Sequence, residues 1–237
     1  MVRIGILTSS RADFGVYKPL LSALTKDKDI KFEIIAFGTH LSKYHGFTLK
    51  EIVDSGFIVK YKIETTIAND SEEAIATSAA LTSLKFVSFW ADHSDEFDVV
   101  LCLGDRYEMF SAVVAGVPFG IKYAHFYGGD YSKGVIDNVY RDCLSIAAQI
   151  HFTSTEKCAD RLKKILIDYY SIEVVGLLSL EELNNIELLS IEEFKKIWNI
   201  DLNEPSILVT FHPETMNPKN NKAYANTIYE VLIDLSQ

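Results

Sequence analysis

In Asp98-Val99-Val100-Leu101-Cys102-Leu103-Gly104-Asp105-Arg106-Tyr107-Glu108-Met109, an unbroken apolar run ends in a glycine and an aspartate. A strand with one wet face alternates polar and apolar residues. An unbroken run of this length belongs to a strand covered on both faces, as in a parallel sheet flanked by helices. Residues 109–115 read as the helix that follows, so one strand–turn–helix unit is legible here.

The unit repeats outward from this segment. Toward the N-terminus, 4–8 is a short apolar strand, and Val16, Leu20, Leu21 and Leu24 recur at helical spacing over 16–26. Residues 32–37 form the next strand, 49–55 a short helix, and 57–63 an alternating third strand. A long helix covers 71–92, with Ser71 as N-cap and Glu72 and Glu73 in its first turn. Toward the C-terminus follow a strand at 119–125, a glycine-rich loop, a helix at 136–148, a strand at 150–153, a helix at 155–167 and a short strand at 172–175. Strands separated by helices predict an α/β fold with a doubly wound parallel sheet, which binds ligands beyond the carboxyl ends of its strands.

Around Gly176 the character changes. Residues 179–189 and 191–198 are polar and helix-prone, Asn203-Glu204-Pro205 is a turn, 206–211 reads as an apolar strand and 223–235 as a final helix. The expected division is a first domain over 1–176, then linker helices and the opening of a second domain over 177–237.

Composition narrows the function. The 237 residues are 48% hydrophobic and 24% charged, as expected of a globular core with a wet surface. A net charge of −10 argues against a nucleic-acid surface, which needs a concentrated basic face. Apolar runs such as 113–117 fall short of a membrane span of about 20 residues. The opening Met1-Val2-Arg3-Ile4-Gly5-Ile6-Leu7 meets polar residues too soon for a signal peptide. The expectation is a cytoplasmic protein with no membrane partner. Cys102, Cys143 and Cys158 show neither redox nor metal spacing. His40 and His45 lack a third nearby ligand, so no metal is expected.

Four strand ends carry the chemistry. Thr8-Ser9-Ser10-Arg11-Ala12-Asp13-Phe14-Gly15 has no G-x-G-x-x-G, so no dinucleotide cofactor is expected. Its hydroxyls and arginine suit an anion at a helix N-terminus, and Ser10 or Asp13 equally suits simple capping. Gly104-Asp105-Arg106 sets a carboxylate at the mouth of the crevice, where an N-cap is the bland alternative. The loop from His125 to Asp137 crowds His125, Tyr127, Asp130, Lys133 and Asp137 among Gly128, Gly129 and Gly134. Asp137 and Arg141 share a helix face at a spacing of four. His212, at the end of 206–211, can titrate near neutrality, and a bland loop histidine fits as well.

Taken together, these segments resemble the hydrolysing UDP-N-acetylglucosamine 2-epimerases of sialic- and legionaminic-acid synthesis. Residues 8–21, TSSRADFGVYKPLL, are similar to that family's first-loop motif, and Thr39-His40-Leu41-Ser42 to its second. Gly104-Asp105-Arg106-Tyr107-Glu108, His125-Phe126-Tyr127-Gly128-Gly129-Asp130 and Gly134-Val135-Ile136-Asp137 with Arg141 are similar to its central motifs. Thr210-Phe211-His212-Pro213 is like its second-domain motif.

The resemblance implies two Rossmann-like domains in the GT-B arrangement. The implied reaction removes the proton at carbon 2 of the sugar with loss of UDP, then adds water to the glycal to give the 2-epimeric free sugar. It places Asp105 and Asp137 beside the sugar, His212 opposite them, Arg11 toward the phosphates, and His40 and His125 in support. Arg106, Gly128, Gly129, Asp130 and Arg141 complete the substrate-binding set. Which carboxylate takes the proton is left open, as is homo-oligomerisation.

Tyr127 stands where well-known members carry glutamate or histidine, and Asn138 replaces an acidic residue. Tyr127 is therefore counted with the acid–base set, and the substrate is UDP-N-acetylglucosamine or a 4-acetamido-6-deoxy relative. Two complete domains need about 150–200 residues each. The chain is accordingly expected to stop partway through the second, to fold in its first and to turn over poorly or not at all. Two readings compete: a GT-B glycosyltransferase, which releases no free epimer, and a non-catalytic nucleotide-sugar-binding fragment.

Overall fold

The structure is a computed structural model that describes residues 1–69, 71–167, 171–181 and 187–235. Its strands are β1 (Val2–Thr8), β2 (Ile30–Phe37), β3 (Val59–Ile63), β4 (Val99–Leu103), β5 (Tyr123–Phe126), β6 (Ile150–Thr153) and β7 (Ser171–Val174). They form one seven-stranded sheet in the order β3-β2-β1-β4-β5-β6-β7, with every pairing parallel. The helices between them are α1 (Arg11–Leu24), α2 (Leu49–Asp54), α3 (Glu72–His93), α4 (Tyr107–Gly116), α5 (Asp137–Ala147) and α6 (Glu156–Ile165).

The apolar run of β4 is buried on both sides, as its lack of alternation requires. Leu101 and Leu103 join Ile6, Phe14, Tyr17, Leu21 and Phe126 in one core layer beneath α1 and α2. Val100 and Cys102 join Leu7, Phe86, Trp90, Met109 and Tyr123 in the other layer, beneath α3 and α4. Ser71 caps α3 by accepting from the Ala74 N–H. The segment Glu72–Glu96 is long and apolar enough to cross a bilayer by length and composition. Here its Phe86, Phe89 and Trp90 are spent on the sheet, and Trp90 Nε1 donates to the Ala112 carbonyl at 3.0 Å.

The chain divides into two compact units, Met1–Ser132 with Asp137–Glu181, and Lys133–Ile136 with Glu182–Gln237. The sheet belongs wholly to the first. In the second, α7 (Ile191–Trp198) starts at a Ser190–Glu193 capping box and ends at left-handed Asn199. Its last helix is α8 (Asn221–Leu235). The Gly134 carbonyl accepts from the Thr215 and Met216 N–H groups, both at 3.2 Å.

The helix-prone segment 179–189 lies partly outside the described residues, and among the described residues one expected strand does not form. Residues 206–211 have no regular structure, and Leu208 is 95% exposed. Apolar composition alone does not make a strand, because the ladder needs a neighbour, and no strand pairs in this unit among the described residues.

Candidate functional site

Strand order reverses between β1 and β4: the chain runs outward through β2 and β3, then returns beside β1. Loops leaving β1 and β4 diverge at such a point and open a crevice at the carboxyl ends. A cleft of about 330 Å³ lies there. Asp105, Arg106, Tyr127, Asp130, Asp137 and Arg141 all line it, with Asp13, Ser154 and Leu177. Three separate sequence motifs thus meet at one place.

Asp105 is held from behind. Left-handed Gly104 (φ +80°) turns the chain out of β4, and the Asp105 carboxylate accepts from the Arg141 guanidinium. Arg141 also donates to the Asp130 carbonyl at 3.2 Å and to Asn138 Oδ1 at 2.9 Å, binding three segments together. Burial raises the Asp105 pKa above its ordinary value; Arg141 opposes that shift and nearby Asp137 adds to it. A cleft carboxyl disposed to hold a proton, with a second carboxylate beside it, suits acid–base chemistry. Arg106 lines the cleft with its guanidinium paired to both oxygens of fully buried Glu108, at 3.2 and 2.7 Å. Burial works against its charge, but Glu108 raises its pKa beyond the ordinary value.

The first loop closes on itself. Asp13 accepts from the Ser9 N–H at 2.8 Å, the Ser9 hydroxyl at 2.7 Å and the Ser10 N–H at 3.1 Å. Ser10 and Asp13 form a capping box on α1. The Ser9 and Ser10 hydroxyls are consumed in this capping, as the plainer sequence reading allowed. Arg11 is exposed at the start of α1 and forms no ion pair among the described residues. By contrast, α4 begins at Arg106 with no side-chain cap, so its first amides present partial positive charge at the cleft.

Tyr127 adopts φ +65°, a left-handed conformation uncommon for a bulky residue. Its phenol accepts from the Leu178 N–H at 2.7 Å. Burial raises its pKa, so the group stays a protonated phenol whose O–H is held more tightly than that of a free phenol. Gly128 and Gly129 bring the loop against the protein. A Cβ on Gly129 would lie 2.2 Å from the Cys158 carbonyl oxygen, at φ +78°.

His40 and His125 lie fully buried beneath the loops. His40 bonds the Thr8 and Thr48 hydroxyls, both at 2.9 Å. His125 Nε2 donates to the Gly104 carbonyl at 2.8 Å, and its Nδ1 lies 3.0 Å from the Ser145 hydroxyl. His125 therefore grips the turn that presents Asp105. Burial pushes both histidines down to about 4. His212 is exposed and belongs to the second unit.

Sequence reasoning passed over Ser154, Leu177 and His151. Ser154 directly follows β6, and the strand-end rule would have found it. Leu177 sits just past left-handed Gly176 and carries no comparable signal. His151 pairs with His125 across β5 and β6, fully buried and without a well-aligned hydrogen bond.

The family model for UDP-N-acetylglucosamine 2-epimerase matches residues 22–237. The chain is 31% identical over 230 residues to the GDP/UDP-N,N'-diacetylbacillosamine 2-epimerase (hydrolyzing) of Campylobacter jejuni, covering 97% of this chain and 59% of that protein. It is 30% identical to the UDP-N,N'-diacetylbacillosamine 2-epimerase (hydrolyzing) of Legionella pneumophila, covering 89% and 55%. Among solved structures, UDP-GlcNAc 2-epimerase from Neisseria meningitidis bound to UDP-GlcNAc superposes with a TM-score of 0.65 at 18% identity, over 84% of this chain and 51% of that one. That likeness shows the fold, the sheet of a GT-B-type epimerase. The chain spans 55–59% of the length of these two relatives. By the match of the family model to most of its length, the chain belongs to the UDP-N-acetylglucosamine 2-epimerase family.

Proposed function

We propose that the cleft receives the sugar end of a UDP-linked 2-acetamido sugar and takes part in hydrolysing 2-epimerisation. In this reaction the carbon 2 proton is removed and UDP departs, then water adds to the glycal to release the 2-epimeric free sugar. The observation that carries this reading is the convergence of Asp105 and Asp137 in one cleft with Arg106 and Arg141, in a chain matched by the family model.

Asp105 and Asp137 are the proton-transfer pair at carbon 2. Tyr127 donates its O–H, since its oxygen already accepts from Leu178 and burial disfavours the phenolate. Arg106 and Arg141 are engaged by Glu108 and Asp105, so they shape the pocket more than they bind phosphate. The diphosphate falls to the open amides of α4 and to Arg11. His40 and His125 act through the turns they hold. No cofactor is required by this chemistry, and a cytoplasmic location agrees with three free cysteines among the described residues.

The substrate is UDP-N-acetylglucosamine or a 4-acetamido-6-deoxy relative, the latter favoured by the names of the two relatives above. Calorimetric titration with UDP-GlcNAc tests the reading. Saturable binding that Asp105→Asn and Asp137→Asn alter supports it. Binding indifferent to both substitutions would sink it.

A further inference from the structure

The outer faces of three neighbouring helices in the first unit carry almost no charge. Between Glu73 and Asp92, α3 has one charged residue, Lys85. The single charge of α4, Glu108, is buried. On α5, Asp137 lines the cleft, Arg141 is buried and Asp142 pairs with Arg161. What these helices show to solvent is apolar instead. Leu84 and Val87 of α3, Val114 of α4, Val117 just beyond it, and Val139 and Ile146 of α5 are each between 42% and 67% exposed. Ser83 Oγ donates to the Ser111 carbonyl at 3.2 Å, and the Phe110 and Tyr140 rings lie 5.7 Å apart, so the three helices present one continuous surface. An ordinary wet face looks different: every exposed residue of α6, namely Glu156, Lys157, Asp160, Lys163 and Lys164, is charged. An apolar face of this extent marks an association surface.

We infer that this face docks against a second copy of the chain, with α3 antiparallel to its counterpart about a two-fold axis beside Ser88. Charge and area single out a second copy as the occupant. Lys85 and Asp92 are exposed, and neither has an ion-pair partner among the described residues. Seven residues apart, they lie on one flank of α3, separated by two turns or about 10.5 Å. A two-fold axis lying in the interface at right angles to α3 sets each flank of the helix against the same flank of the other copy. With that axis midway between the two charges, Lys85 of one copy meets Asp92 of the other, and the reverse pair forms by symmetry. Ser88 and Ala91, both exposed and small, let the two helices approach closely there. The exposed parts of the six large apolar side chains come to on the order of 500 Å², and with the flanking residues of α3 the face reaches the roughly 800 Å² that each partner gives to a standard interface.

Sedimentation equilibrium of the whole chain tests this. A dimer is expected at about 100 µM, since interfaces of this size reach micromolar Kd or better. Leu84→Asp, at an exposed position that the fold tolerates, should leave a monomer with an unchanged far-ultraviolet circular dichroism spectrum. Lys85→Glu and Asp92→Lys each bring like charges together at two places, and each should weaken association about tenfold or more. The double variant K85E/D92K reverses both charges and should return the Kd to within about threefold of the unaltered chain. A chain that stays monomeric at that concentration, or that binds phosphatidylglycerol vesicles as a monomer, overturns the inference. So does a dimer indifferent to Leu84→Asp, or a double variant that associates no more tightly than the single ones.

Discussion

At Asp105 two demands meet: the carboxylate must face the cleft, and it must stay where burial penalises its charge. Arg141 reconciles them from one side, and His125 fixes the Gly104 turn from the other. Tyr127 is similarly constrained, with a strained backbone and an occupied oxygen. Tyr127→Phe should lower stability by about 0.5–1.5 kcal/mol through loss of the Leu178 bond, measurable by chemical unfolding. It should also lower turnover in the active enzyme by about 10²–10⁴ if the phenol delivers a proton. Normal turnover alongside the stability loss would make it a tether only. Gly129→Ala should cost about 2 kcal/mol or more, since the new methyl meets the Cys158 carbonyl in a left-handed conformation. An unchanged melting temperature would contradict that packing. The titratable cleft residues were legible in the sequence because polar groups and glycines stood at strand ends. Their partners were not: nothing local pairs Arg141 with Asp105, 36 residues away, or Tyr127 with the Leu178 amide, 51 away.

Among the elements, β4 was read correctly because burial on two faces leaves a periodicity-free signature. Strand 206–211 was not, because the same signature says nothing about whether a neighbour exists to complete the ladder. Loop 8–15 left two readings open, and the capping box decided between them for Ser10 and Asp13. Ser10→Ala should therefore destabilise the protein by about 0.5–2 kcal/mol by leaving an α1 amide unpaired. A ligand-binding serine would instead leave the melting temperature unchanged and weaken nucleotide-sugar affinity.

For the molecule as a whole, three histidines sit buried and neutral in the first unit: His40, His125 and His151, each pushed down to about 4 by burial. In the unfolded chain they titrate near the ordinary value of about 6.5. Between those two values the unfolded state binds more protons, so stability falls as pH drops from about 6.5 toward 4 and is flat above. Each site accounts for a loss on the order of 3 kcal/mol across the window. Urea midpoints measured at several pH values should show this slope, and His151→Leu should reduce it. A midpoint independent of pH between 4 and 6.5 would contradict the burial.

On the function proposed above, the carboxyl ends of β1, β4 and β5 hold a nucleotide sugar. The most direct measurement is an NMR titration of the chain with UDP-GlcNAc, following the backbone amides and the aspartate side-chain carboxyl carbons. The account predicts saturable shifts at Asp105, Asp130, Asp137 and Arg141, with none in the cavity at the opposite strand ends beside Arg3, Lys31 and Lys60. Shifts confined to that opposite cavity, or none anywhere at millimolar ligand, would contradict it.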